Sequence, residues 1–142
     1  MNRPEKRNAM NPQLHFEMED ILTHLETDPS AKVIVLTGAG TRAFGVGGDL
    51  QDKKKGRHGK GTIGIPIEDL HSAIRDAPQP VIAKVRGYAI GGGNVIATIC
   101  DMTIAAENAI FGQVGPKMGS VDPGFGTAYL ARIVGEKKAR EI

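Results

Sequence analysis

The stretch Tyr88-Ala89-Ile90-Gly91-Gly92-Gly93-Asn94-Val95 constrains this chain more than any other. It follows the apolar run Val81 to Arg86, which reads as a buried strand, and precedes Asn94 to Cys100, which reads as a helix. Three glycines at a strand-to-helix turn clear every side chain from one spot. Backbone N–H groups are left bare there, and the helix N-terminus adds the positive end of its dipole. Such a spot suits a phosphate, a carboxylate or a developing oxyanion. The same glycines also suit a helix packed so closely on a strand that no Cβ fits.

Around this turn, helices alternate with strands. Asn11-Pro12 sets an N-cap followed by proline at the first helical position. Leu14, Met18, Ile21, Leu22 and Leu25 then recur on one helical face, up to Asp28-Pro29. Val33 to Thr37 is a short continuous apolar run, expected as a strand buried on both faces. Pro66 opens a second helix with Ile67, Leu70 and Ile74 on its face, and Asp76 to Pro80 ends it. His71 on that helix reads as a packed or surface histidine rather than a ligand. Met102 to Ala105 and Ala109 to Phe111 read as strands, and Gly112 to Pro123 as a loop. Asp122-Pro123 reads as another N-cap and proline, opening a helix that carries Tyr129, Leu130 and Ile133 and stops at Gly135. Glu136 to Ile142 begins a further helix and stops inside its pattern, so Ile142 is expected unpacked and the chain a piece of something longer. The alternation predicts an α/β fold with mostly parallel pairing. No linker and no sequence repeat divides it.

Composition narrows the function. With 142 residues, 40% apolar and 24% charged, the chain has the make-up of one soluble globular domain. A net charge of +2 is too small to argue for nucleic acid. No apolar run reaches the length of a membrane span, and no signal peptide opens the chain, which leaves the cytoplasm as the default compartment. A single cysteine, Cys100, rules out an internal disulfide or a cysteine-cluster metal site. It follows the apolar run Ile96 to Ile99 and reads as a buried thiol.

A second glycine-rich loop, Gly38 to Asp49, has Ala43-Phe44-Gly45-Val46-Gly47-Gly48-Asp49 as its core. Gly38-Ala39-Gly40 lacks the third glycine of a dinucleotide fingerprint, and Gly59-Lys60 is followed by Gly61 rather than the Ser or Thr of a P-loop. The basic run Lys53 to Lys60 reads either as a solvated loop or as a contact to substrate phosphates. Without interleaved aromatic residues it does not read as a nucleic-acid patch.

Taken together, Asn2-Arg3-Pro4-Glu5-Lys6-Arg7-Asn8-Ala9-Met10, the Ala43 to Asp49 loop, Gly87 to Gly93 and Phe111-Gly112-Gln113 resemble the crotonase (enoyl-CoA hydratase/isomerase) superfamily. The match runs over essentially the whole chain in order and spacing. It implies a spiral of β-β-α units, truncated at both ends. Within the superfamily, the run from Gln113 to Gly124 is similar to two sister groups. The 2-ketocyclohexanecarboxyl-CoA hydrolases open a ring, and the 1,4-dihydroxy-2-naphthoyl-CoA synthases close one. Gly61 to Pro66, Asn94 to Asp101 and Ser120 to Pro123 resemble the hydrolases more.

The resemblance assigns roles. The Gly48 and Gly92 backbone N–H groups match oxyanion-hole donors for a thioester oxygen. Arg7, Val46, Gly47, Asp49 and Leu50 match positions lining the CoA pocket, and Tyr88 to Gly92, including Gly91, match substrate contacts. Val95 and Gly115 stand where hydratases carry two glutamates, so simple hydration is not expected. In synthases with glycine at the Gly115 position, a bound bicarbonate resembles the missing carboxylate, with Gln113, Val114 and Gly115 as its cradle. Ser120 and Asp122 match polar residues at the ring end of the substrate, although Asp122 is equally a good helix cap. The expected activity is hydrolytic ring cleavage of a cyclic β-ketoacyl-CoA. The alternatives are the ring-closing synthase reaction and a non-catalytic acyl-CoA-binding fragment. No metal and no tightly bound cofactor is expected, and no nucleic-acid or membrane partner. For a full-length member a homotrimer or dimer of trimers is implied.

Overall fold

The computed structural model describes residues 1–51, 67–120 and 124–142. Asn11 caps α1 (Pro12–Glu26): its side-chain oxygen accepts the Leu14 N–H at 3.0 Å, which satisfies one donor that a helix start leaves orphaned. Then come β1 (Ile34–Thr37), β2 (Ala43–Gly45), α2 (Ile67–Asp76), β3 (Val81–Val85), β4 (Tyr88–Ile90) and α3 (Gly92–Ile99). They are followed by β5 (Met102–Ala105), β6 (Ile110–Gly112), α4 (Gly115–Met118), α5 (Gly126–Val134) and α6 (Glu136–Glu141).

The strands divide between two three-stranded parallel sheets, ordered β1-β3-β5 and β2-β4-β6. The first strand of each β-β-α unit joins one sheet and the second joins the other, so the chain winds as a spiral of such units. Register is continuous across the first sheet, where Ile34 pairs with Val81 and Ile82 with Met102; in the second, Ala43 pairs with Tyr88 and Tyr88 with Ile110, and the register of β2 on β4 shifts between Ala43 and Gly45. The repeat is structural only. Each unit keeps the strand-strand-helix order and none of the others' residues.

The core forms around α3. Val95, Ile96 and Ile99 are sealed there with Phe44, Leu70, Val81 and Val85. Leu14, Met18 and Leu22 bring α1 to the same cluster, and α1 packs on α2. On α5, Phe125 precedes the first turn and stacks at 5.8 Å from Tyr129, with the Arg75 guanidinium 5.0 Å above the Tyr129 ring. A groove of about 720 Å³, whose lining includes Asn94, Thr98, Met102, Phe111 and Ile133, lies between α3, β5 and the α5–α6 pair. None of Gly47, Gly48, Gly91 or Gly92 lines it.

Several expectations change. Val35 is 54% exposed rather than buried, because one face of the β1-β3-β5 sheet is uncovered, with Met102 and Ile104 exposed on it as well. Ile21 and Ile133 were expected on apolar faces, but Ile21 is exposed on α1 and Ile133 lines the open groove beside α3. The loop Gly38 to Asp49 contains β2, and Tyr88–Ile90, expected as part of a turn, is β4. Both lie in stretches whose glycines read as turns, whereas β6, equally short, showed as the apolar run Ala109 to Phe111. The expected loop Gly112 to Pro123 contains the single helical turn α4. Gly135 does end α5. Ile142 is part-buried, and its carbonyl accepts the Gln113 N–H at 2.8 Å, so it is not unpacked. The capping role of Asp122-Pro123 and the reading of Lys53 to Lys60 and Pro66 lie outside the described residues.

His71 is packed, 3% exposed, with its ring against Phe125 at 6.0 Å and Nδ1 accepting the Phe125 N–H at 3.4 Å. Burial first, then the neighbouring His15, pushes its pKa down to about 4. The folded state therefore resists protonation that the unfolded chain accepts near 6.5. Stability from this neutral site is complete above about pH 6.5 and is lost as pH falls towards 4, to a total on the order of 3 kcal/mol. Urea melts across that range are expected to show this loss, and His71→Leu to flatten it. An equal slope in the variant would assign the loss to other groups.

Candidate active site

The second sheet places two glycine loops at the same end. β2 leads into Val46-Gly47-Gly48-Asp49, and β4 leads into Gly91 and the start of α3. These are the C-terminal ends of neighbouring parallel strands, where open α/β sheets characteristically offer a site. Gly47 and Gly91 adopt φ of 82° and 55°, values that a residue with a Cβ avoids. A Cβ built on Gly47 would lie 3.3 Å from Gly92 N, so the two loops touch through backbone. α3 comes this close because Gly93 has no side chain: a Cβ there would overlap the Gly45 carbonyl oxygen.

This apposition gives the turn its chemistry. The Gly91 N–H donates to Gly112 O at 2.9 Å, and the Gly91 carbonyl accepts from Val95 N at 3.0 Å. Among the described residues, neither the Gly48 N–H nor the Gly92 N–H donates to any protein group. Gly92 also opens an eight-residue helix, so the dipole adds positive potential at its N–H. Two free donors on touching loops suit an oxygen that carries negative charge. Both functions considered for the three glycines, close packing and bare N–H groups, are present: Gly93 serves the first and Gly92 the second.

Other expected site residues are distributed unevenly around this pair. Val114 touches the Gly91 side: its Cγ2 is 3.9 Å from where a Gly91 Cβ would stand. Gly115 and Ser120 close on each other, the Ser120 N–H donating to Gly115 O at 2.9 Å. A Cβ on Gly115 would sit 2.7 Å from the Ser120 carbonyl oxygen. Gly115 has no positive φ, so its need for glycine is this contact and not a left-handed turn. Val95 is 1% exposed within the apolar core. Tyr88 begins β4, about 10 Å of strand from Gly91, and is 44% exposed. Its backbone is therefore not beside the free N–H pair. Arg7, in the left-handed region at φ 53°, and Leu50 are exposed. Val46 is half-buried. Asp122 lies outside the described residues.

Asp49 is buried, and both its oxygens are engaged: Oδ1 accepts from Gln51 N and Oδ2 from Arg3 Nη2, each at 3.0 Å. Burial works to raise the carboxyl pKa. The Gln51 N–H, the Arg3 guanidinium and the Lys6 charge outweigh it and hold the group below the usual carboxylate range. Cys100 is inert, as its apolar setting suggested: burial pushes the thiol up to about 12.

Two residues that hold the site escaped the sequence reading. Asn8 is fully buried in the left-handed region at φ 56°. Its amide nitrogen donates to Ala39 O at 3.0 Å and to Ala43 O at 2.8 Å, while its oxygen accepts from Arg3 N at 2.9 Å. The tolerance of asparagine for that backbone region was a usable local signal. Arg3 pairs with Asp49 across 46 residues, and no local pattern reports such a pair.

A family model described as enoyl-CoA hydratase/isomerase matches residues 1–142. Among solved structures, an enoyl-CoA hydratase from Bacillus anthracis is 32% identical with a TM-score of 0.87, the match covering 98% of this chain and 54% of that one. An enoyl-CoA hydratase/carnithine racemase from Magnetospirillum magneticum is 30% identical at a TM-score of 0.88, covering 99% and 54%. An enoyl-CoA hydratase from Mycobacterium avium subsp. paratuberculosis is 33% identical at 0.86, covering 99% and 53%. The chain thus spans about half the length of these solved relatives.

The Gly93–Gly45 approach predicts a specific cost. Gly93→Ala is expected to lower stability by about 2 kcal/mol or more, because backbone rather than a flexible side chain must move. Chemical denaturation of the variant measures it. A midpoint equal to wild type would mean that α3 does not sit on β2 as described.

Proposed function

Because the chain belongs to the enoyl-CoA hydratase/isomerase family, we propose that it serves hydrolytic ring cleavage of a cyclic β-ketoacyl-CoA of the 2-ketocyclohexanecarboxyl-CoA type. One observation carries this reading. Two free backbone N–H groups, at Gly48 and Gly92, occur with a core valine at position 95 and with Gly115 pinned to Ser120, so neither position where hydratases carry a glutamate holds a carboxylate here.

In the reaction, water adds to the ring ketone while Asp122 takes its proton. The tetrahedral alkoxide collapses to a carboxylic acid, and the bond from that carbon to the α-carbon breaks. Its electron pair passes through the α-carbon to the thioester oxygen, held as an enolate by the Gly48 and Gly92 N–H groups. Each such donor supplies about 3 kcal/mol. Protonation at the α-carbon completes an open-chain dicarboxylic mono-CoA thioester. Substrate plus water equals product, so no redox partner enters. Ser120 stands at the ring end. Arg7, Val46, Gly47 and Leu50 line the CoA moiety, with Asp49 contributing backbone because its carboxylate is occupied; Gly91 contacts the substrate beside the pair, and Tyr88 contacts it farther off, from the start of β4. The resemblance also supports a homotrimer or dimer of trimers for a full-length protein, in the cytoplasm.

Bicarbonate in place of the Gly115 carboxylate fits the turn poorly. The Gln113 N–H is already given to Ile142 O, and the Ser120 carbonyl fills the space beside Gly115. The first is a donor already engaged and the second an acceptor, so neither offers a hydrogen bond to an anion, and the base in this reading is Asp122. Carbonate-free buffer is expected to leave the rate unchanged, and saturable rescue by added bicarbonate would reverse the assignment.

Incubation with 2-ketocyclohexanecarboxyl-CoA is expected to give a thioester heavier by one water, while crotonyl-CoA is not hydrated at a comparable rate. Hydration of crotonyl-CoA alone would reject the proposal. Loss of water from an open-chain aryl acyl-CoA would favour the ring-closing synthase direction, the same enolate chemistry in reverse. Asp122→Asn keeps capping ability, so the melting temperature should hold while turnover falls about a hundredfold. A lower melting temperature with unchanged turnover would reduce Asp122 to a cap.

A further inference from the structure

We propose that Arg3 is a positioning residue for the oxyanion pair, acting through Asp49 and Ala9 to set the direction of the Gly48 N–H. The inference rests on the reading above only in taking the Gly48 and Gly92 N–H groups as the ones that hold the thioester oxygen.

Gly48 sits inside a parallel bridge with Met10. The Met10 N–H donates to Gly47 O at 2.8 Å, and the Asp49 N–H donates to Met10 O at 2.7 Å. The peptide joining Gly47 to Gly48 is trans, and a trans peptide points its C=O and N–H in opposite directions. Holding the Gly47 carbonyl on Met10 therefore turns the Gly48 N–H away from Met10 and leaves it free. The bridge decides where that donor aims.

Arg3 straddles this bridge. Its Nη1 donates to Ala9 O at 2.7 Å, and its Nη2 donates to Asp49 Oδ2 at 3.0 Å. One planar guanidinium thus ties the residue before Met10 to the residue after Gly48. Arg3 is itself fixed by backbone: its N–H donates to Asn8 Oδ1 at 2.9 Å, and its carbonyl accepts from Asn8 N at 2.8 Å. The ion pair is largely shielded, at 22% and 8% exposure, so water does little to loosen it. A rigid two-pronged donor holds two acceptors in fixed relation, which a lysine ammonium on a flexible stem does less well. Gly47 and Gly48 can take many backbone conformations, so the direction of the donor has to come from outside the loop. Arg3 supplies it without touching the oxyanion position.

The test reads donor geometry rather than stability. Acetoacetyl-CoA is a β-ketoacyl thioester without a ring, and its enolate has its own ultraviolet band. Bound to wild type, it is expected to show a larger enolate fraction at neutral pH than in free solution. In Arg3→Gln that fraction, per bound probe measured separately by calorimetry, is expected to fall about threefold or more, against the ~10²-fold cost in rate of deleting an oxyanion donor outright. Arg3→Lys should recover part of it, and carries the comparison if Arg3→Gln fails to fold. If the variants melt earlier but keep the wild-type enolate fraction per bound probe, Arg3 is structural only and the proposal is overturned. Absence of the enolate band with bound wild type would instead remove the oxyanion reading, and this inference with it.

Discussion

The contact between the Gly45 carbonyl and the backbone at Gly93 sets how near α3 comes to the second sheet. A helix carrying any side chain at that point would stand off β2 by the width of a methyl group, and the Gly47 and Gly92 backbones would part. The close approach has two effects at once. It seals Val95, Ile96 and Ile99 into the core with Phe44, and it brings the N-terminus of α3, with its dipole, against a second loop rich in glycine. Burial of the helix and exposure of its first N–H thus follow from one missing Cβ, because the packed and the open sides of a helix turn are separated by only a residue.

The N-terminal segment completes that arrangement from the other side. Asn8 satisfies two carbonyls of the Gly38 to Gly45 stretch, and Arg3 holds Ala9 and Asp49 together. Polar groups buried this way must all be paired to be tolerated, and here Asn8 is paired with backbone and Asp49 with the Arg3 guanidinium and the Gln51 N–H. The result is a rigid frame around residues that have no side chains to hold them in place. Glycine loops that bind through backbone gain access at the expense of stiffness, and the stiffness is restored by contacts far away in sequence.

The legibility of the sequence follows the range of the interactions. Helix starts were readable because caps are local: Asn11 with Pro12 set the first helix, and Gly135 ended α5. Longer apolar runs such as Val81 to Val85 were readable as strands. β2 and β4 were not, since the glycines around them read as turns, and their strand character comes from pairing with each other and with β6. The exposed side of β1 was hidden too, because whether a sheet face is covered depends on elements distant in sequence. Within the site, Gly48 and Gly92 could be picked out as bare backbone, and their apposition came with the resemblance to a known family. The contacts by which Arg3 and Asn8 hold the loops were hidden, since those partners lie 46 and 31 to 35 residues away, and Asn8 left only its tolerance of the left-handed region as a local sign. The need for glycine at position 115 comes from a contact with the Ser120 carbonyl, which no composition of the Gln113 to Gly124 run reveals.

The central claim is that the free N–H groups of Gly48 and Gly92 together receive one oxygen of a CoA thioester. Titrating the isotopically labelled protein with acetoacetyl-CoA, and following every assigned amide by nuclear magnetic resonance, tests it most directly. The account predicts that these two amide protons shift downfield together, along a single binding curve, and by more than the amides that already donate, such as Gly91 and Val95. Saturable binding that leaves either of the two unmoved would contradict it.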